Sequence, residues 1–282
     1  MCMLLAFAIA GTILHLAGIK INAATNKTII NPVSKSTPTL IPKKDEPFGK
    51  YDAPKIGDKR VYTIVMLGDS MTHALGPHGG EFSERINEQY KPQGHEVIID
   101  NYASGSTNIL SLQEAYTEKT KSWDVIFDPL LERDFDMILV ESFGYNPLSQ
   151  YGLENGIKKQ NEELDKMMKK LTAEWPNALI VFVATISPNR QYYSLSVDPD
   201  KFQSEREQLA DERIAYIKNH IEYAKNHNIP LINIFEKSLT PQGDGNLEYI
   251  NPSDYIHPSA VGIEFIGQEL ANFIYINKIL PY

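Results

Sequence analysis

Val61-Tyr62-Thr63-Ile64-Val65-Met66-Leu67-Gly68-Asp69-Ser70-Met71-Thr72 is the stretch from which the rest of the chain is read. Seven β-favouring or apolar residues run straight into a Gly-Asp-Ser turn. An unbroken strand of this kind is buried on both faces, as in a parallel sheet. Parallel sheets bind ligands outside the carboxyl ends of their strands. Ser70 therefore stands where a nucleophile is useful. Gly68 is expected to let the backbone turn sharply and to leave room for a substrate. Read alone, Gly-Asp-Ser is equally an ordinary turn, since all three are turn residues. Three later stretches decide between the two readings.

Downstream, strands alternate with helices. Residues 81–90 read as a short amphipathic helix, and 96–102 as a second strand ending in the polar turn Ala103-Ser104-Gly105-Ser106-Thr107-Asn108. Residues 135–141 read as a third strand, followed by Ser142-Phe143-Gly144-Tyr145-Asn146-Pro147. Residues 153–175 form a long helix with Leu164, Met167, Met168 and Leu171 at helical spacing. Residues 178–184 are a fourth strand, 202–227 a second long helix, 230–235 a fifth strand and 259–278 a closing helix. Pro258 suits the first turn of that last helix, where no amide donor is needed. Strand–helix alternation with crossovers of this length predicts an α/β fold whose parallel sheet is covered on both sides.

Ahead of residue 61 the composition changes twice. Residues 1–24 open with a nearly unbroken apolar run whose first charged side chain is Lys20. As a helix, residues 1–19 extend about 28 Å, close to the thickness of a bilayer core. The segment reads as a signal anchor or a cleaved signal peptide, with a buried core helix as the plain alternative. Residues 25–60 are rich in Pro, Ser, Thr and Lys and read as a solvated linker. Residues 61–282 are then a globular domain held outside the cytoplasm, membrane-anchored or secreted. Across all 282 residues, 42% are hydrophobic and 22% charged, as in a folded protein. The formal net charge of −9 argues against nucleic-acid binding, which needs a basic footprint. The single cysteine, Cys2, excludes an intrachain disulfide and a catalytic thiol in the main domain. No HExxH, P-loop or GxGxxG pattern is present, and the seven histidines do not pair at metal-ligand spacing, so no metal or cofactor is expected.

The strand ends carry the residues that acyl transfer requires. A Ser hydroxyl is a poor nucleophile until a base takes its proton, and His is the usual base. Asp254-Tyr255-Ile256-His257-Pro258 supplies one, with an Asp three residues earlier to orient the imidazole. The tetrahedral intermediate needs fixed donors aimed at its oxygen. Gly105 offers an unobstructed backbone N–H, and Asn146 a side-chain amide.

Gly68-Asp69-Ser70, Gly105 after a strand ending in Asn101, Gly144-Tyr145-Asn146 after a strand, and Asp254-Tyr255-Ile256-His257-Pro258 resemble, in order and rough spacing, the four sequence blocks of the SGNH/GDSL hydrolases. The resemblance covers about residues 61–280. It implies a flavodoxin-like three-layer α/β/α sandwich with a five-stranded parallel sheet. It makes Ser70 the nucleophile, His257 the base and Asp254 its partner. It makes the Ser70 amide, the Gly105 amide and the Asn146 side chain the oxyanion hole. The sequence departs from the family in one place: Pro147 stands where the third block usually has Asp. The G-x-S-x-G turn of α/β-hydrolases is absent.

The remaining polar residues have plainer readings. Asp69 reads as a loop-ordering acceptor, Glu141 as structural, and His73 and His78 as rim residues rather than ligands. Tyr192 and Tyr193 either line a carbohydrate pocket or are half-buried aromatics. The expected activity is that of a serine esterase cleaving an ester, an O-acetyl group on an envelope glycan or a lipid acyl ester. The alternatives are an O-acetyltransferase acting on a cell-envelope polysaccharide with the same nucleophile, and a catalytically silent carbohydrate-binding domain.

Overall fold

The computed structural model describes residues 46–282. The apolar segment 1–24, and residues 25–45 of the stretch read as a linker, lie outside the described residues. β1 (Val61–Leu67) leads into α1 (Ser70–His73) and α2 (Gly80–Tyr90), then β2 (Glu96–Asn101) and α3 (Leu112–Thr117). A small antiparallel hairpin follows, β3 (Thr120–Ser122) and β4 (Val125–Phe127). β5 (Met137–Glu141), α4 (Leu153–Glu174), β6 (Leu179–Ala184) and α5 (Gln203–His227) come next. The chain closes with β7 (Leu231–Asn233), α6 (Ile234–Lys237) and α7 (Ala260–Ile276).

The main sheet has five strands in the order β2-β1-β5-β6-β7, every pair parallel. Counting only its own strands, that order is 2-1-3-4-5, the flavodoxin-like arrangement. The fold is thus the α/β sandwich expected. Every residue of β5 and β6 is buried, as continuous apolar strands between two helical layers must be. Edge strand β2 instead alternates in its first half, with Ile98 turned outward.

Neighbouring residues of β6 show the two layers, because successive side chains point to opposite faces. Phe182 stacks on His220 of α5 with ring centroids 4.2 Å apart. Val183 instead borders Ile266 and Leu270 of α7. α4 joins the α5 layer through Asn219, which donates to Gln160 and Asn161. α2 joins α7 so closely that a Cβ on Gly267 would lie 2.7 Å from the Phe82 nitrogen.

Three expectations shift. The fifth strand stops at Asn233, because the Asn233 side chain accepts from Glu236 N and starts α6. The last helix begins one residue after Ser259, whose hydroxyl caps it by accepting from Gly262 N, so Pro258 lies just outside its first turn. Residues 46–60 carry no helix or strand, yet they are not simply solvated. Tyr51 is buried; its hydroxyl accepts from Ile180 N at 2.9 Å, and its own amide donates to His227 O at 2.7 Å. Phe48 and Ile56 pack against the same core. Two aromatics in a polar segment anchor this arm to the start of β6 and the end of α5.

Candidate active site

Reversal of strand order makes a crevice between β1 and β5, at the carboxyl ends of the strands. Ser70 follows β1, Asn146 follows β5, and the Gly105 loop follows β2. The sequence positions thus converge at the topological switch point.

Asp69 is the N-cap of α1, and its Oδ1 accepts from Met71 N at 2.9 Å. That bond sets Ser70 as the first residue of the helical turn, half-buried, its side chain in no intramolecular hydrogen bond among the described residues. Gly68 departs from the expectation. Its φ is not positive, and the space where a Cβ would stand is taken by Thr72 Oγ1 at 2.5 Å and Glu141 Cβ at 2.9 Å. Its smallness serves packing within the turn, not room for a substrate.

The loop after β2 is tied to this turn: Ser104 N and Thr107 Oγ1 both donate to Gly68 O, at 3.4 and 3.1 Å. Gly105 follows at the exposed tip, with nothing within 4 Å of where a side chain would project. After β5, Asn146 Nδ2 donates to Asp69 Oδ2 at 3.1 Å. Asp69 therefore links the Ser70 turn to the Asn146 amide.

Behind Asp69 lies Glu141, also buried, accepting from Asp69 N at 3.3 Å and from the Ser142 hydroxyl. Burial and the neighbouring Asp69 charge push Glu141 well above the ordinary carboxylate range. Burial also raises Asp69, against hydrogen bonds from Met71, Asn146 and Glu141 that favour its charged form. Two carboxyls buried together disfavour the doubly charged pair, so each is pushed up by its surroundings.

His257 sits in a loop closed by Asn251 N donating to His257 O at 2.8 Å, with Tyr255 in the left-handed region at φ 55°. Asp254 Oδ2 meets His257 Nδ1 at 2.8 Å, while Oδ1 accepts from the amides of Ile256 and His257. Burial acts to raise the Asp254 pKa, but those hydrogen bonds outweigh it and hold the carboxyl below its usual value. The ring is thereby turned so that its other nitrogen is free. His257 lies within charge-interaction range of Asp69 and His73, the residues on either side of the Ser70 turn.

His73 is at the rim, its ring stacked on Trp123 at 5.1 Å. His78 is a packing residue, its ring nitrogen against Ile99 O and its edge toward Phe127. Tyr193 belongs to the core, while Tyr192 lies 5.4 Å from Tyr255 of the His257 loop. A cavity of about 210 Å³ opens beside Gly68 and Ser104, lined also by Tyr102, Leu112, Phe143 and Lys121. Among the described residues no group of three or more His, Cys, Asp or Glu side chains is arranged to hold a metal ion. Sequence reasoning gave Glu141 no tie to Asp69 and did not single out Trp123. Glu141 lies 72 residues from Asp69, and only the sheet register brings them together.

A family model for the GDSL-like lipase/acylhydrolase family matches residues 66–264. No curated protein matches the sequence. Among solved structures, a lipase/acylhydrolase from Enterococcus faecalis is 18% identical at a TM-score of 0.51, over 77% of this chain and 96% of that one. An acetyl xylan esterase is 14% identical at a TM-score of 0.54, over 75% of this chain and 99% of that one. At such identities these are likenesses of fold.

Proposed function

The chain belongs to the GDSL-like lipase/acylhydrolase family and is an ester-cleaving hydrolase; from that premise we propose that it works through Ser70, His257 and Asp254 on an O-acyl ester of a glycan or lipid. The observation that carries the reading is the Asp254–His257 contact at 2.8 Å. Both carboxylate oxygens are engaged there, which supports a neutral imidazole held through Nδ1 with its other nitrogen left for the proton transfer.

In this reading Ser70 Oγ attacks the ester carbonyl carbon as His257 takes its proton. The carbonyl oxygen becomes an oxyanion, held by the amides of Ser70 and Gly105 and by Asn146 Nδ2. The intermediate collapses, the C–O bond to the alcohol breaks, and His257 returns the proton to the departing oxygen. Water, deprotonated by His257, then attacks the acyl-Ser70 carbonyl, and Ser70 recovers its proton as the acid leaves. Asp69 has a supporting part: its buried carboxyl accepts from the Asn146 amide and holds it beside the nucleophile's turn.

The test is turnover of p-nitrophenyl acetate and p-nitrophenyl octanoate, with fluorophosphonate labelling. Ser70→Ala is expected to abolish both, and His257→Ala to cost as much, since the two act as a unit. Asp254→Asn should leave more residual activity than either. Wild-type esterase activity in Ser70→Ala, or a label on another serine, overturns the assignment. Labelled protein that turns over no ester redirects it to transfer onto a sugar acceptor. The domain is further proposed to act outside the cytoplasm, on the strength of the apolar residues 1–24. A fusion of that segment to a reporter active only after export checks this, and a soluble cytoplasmic fusion refutes it.

A further inference from the structure

Trp123 stands at the tip of the β3–β4 hairpin with 52% of its surface exposed. A large ring so placed is ordinarily free to move, but this one is fixed twice. Its indole Nε1 donates to His73 O at 2.9 Å, and its ring lies on the His73 imidazole at 5.1 Å and only 6° from parallel. With one face on His73 and half the residue in solvent, the opposite face is open.

The backbone there is strained. Trp123 has φ 56°, the left-handed region, which costs a residue with a Cβ about 1–2 kcal/mol. Gly or Asn would make the same turn more cheaply. An outlier of this kind points to a use for the side chain.

The location supplies the use. His73 is three residues beyond Ser70 on the same helical turn, so the two side chains share a face. Thr120 and Lys121, on the strand leading to Trp123, line the cavity that Gly68 also borders. One hairpin thus walls the cavity that Gly68, two residues before Ser70, also borders, and carries a flat, immobilised aromatic at its tip.

We propose that Trp123 is a stacking subsite for a pyranose ring in the alcohol half of the ester, which makes glycan esters the substrate class. The inference rests on the hydrolase reading above and narrows it. A sugar presents one face of C–H groups to a ring and its hydroxyls to water, which suits a single fixed indole. Lys121 and Asp124, exposed on the same hairpin, offer partners for hydroxyls and an unwelcoming surface for a lipid tail.

The test compares wild type with Trp123→Ala and Trp123→Phe in the full chain on O-acetylated xylo-oligosaccharides, O-acetylated chito-oligosaccharides, p-nitrophenyl acetate and p-nitrophenyl octanoate. The ratio of kcat/KM on the acetylated glycan to that on p-nitrophenyl acetate is expected to fall about tenfold in Trp123→Ala, mostly through KM, and to recover at least partly in Trp123→Phe. A ratio unchanged on both glycans overturns the proposal. A loss on p-nitrophenyl octanoate as large as on the glycans overturns it in favour of acyl-chain contact. Binding is read separately in Ser70→Ala carrying Trp175→Phe, which leaves Trp123 the sole tryptophan. Quenching by unacetylated xylohexaose or chitohexaose supports the subsite even where the Ser70 mechanism fails, and its absence with both defeats the subsite even where that mechanism holds.

Discussion

Replacing Glu141 with Gln should flatten the dependence of stability on pH. Glu141 is buried against Asp69, and burial with the Asp69 charge holds its proton far above the usual carboxylate range. An unfolded chain releases that proton near the ordinary Glu value. Above that value the folded chain binds more protons than the unfolded one, so wild-type stability falls as pH rises toward the raised folded value. For one fully retained proton the slope is about 1.4 kcal/mol per pH unit. Gln keeps the volume and does not titrate, although its NH2 puts two donors where one accepting oxygen stood. Glu141→Gln should therefore gain on wild type steadily as pH rises. Glu141→Ala strands the Asp69 amide and the Ser142 hydroxyl, at about 1–3 kcal/mol for each buried donor left unmet, and opens a cavity besides. Urea unfolding between about pH 5 and about pH 8 measures all three, through midpoints at constant m. Parallel pH slopes for wild type and Glu141→Gln refute an upward shift of Glu141. So does a Glu141→Ala protein as stable as Glu141→Gln.

On the proposed mechanism, Asn146→Ala removes one oxyanion donor and should lower kcat about 10²–10³-fold with KM little changed, read from steady-state ester hydrolysis. Gly68→Ala places a methyl group 2.5 Å from Thr72 Oγ1 and should cost about 1–3 kcal/mol in thermal unfolding, with a parallel loss of turnover because the Ser70 turn shifts. Tyr51→Phe leaves the buried Ile180 amide without its acceptor and should destabilise by about 1–3 kcal/mol while KM stays unchanged, since the change is remote from Ser70.

The central strands were legible because β5 and β6 are buried throughout and β1 is buried from Ile64 on, which calls for mostly apolar residues. The long helices announced themselves by periodicity, with ends displaced by a residue or two. Ile234 and Phe235 misled: they are apolar and β-compatible, but the Asn233 cap committed them to a helix. The β3–β4 hairpin gave no signal, because three-residue strands such as Thr120–Ser122 are too short for alternation to register. At the strand ends, residue type and spacing pointed to Ser70, Asn146, Asp254 and His257, and the structure joins Asp254 to His257 and Asn146 to the Ser70 turn through Asp69. Two relations were not legible. The hold of Asp69 on Asn146 joins residues 77 apart, and the purpose of Gly68 lies in atoms of Thr72 and Glu141 that only the folded chain brings near.

The arm at residues 46–60 grips the sheet at its amino-terminal rim, where Tyr51 meets Ala178 and Ile180 at the start of β6. The other end of the described chain reaches the same rim, since Tyr62 near the start of β1 donates to Pro281 O. Six residues of β6 span about 20 Å between that rim and the crevice. Both ends are thus handles on the side away from the chemistry. Protein immobilised on a bead through either handle keeps the carboxyl ends of its strands turned outward.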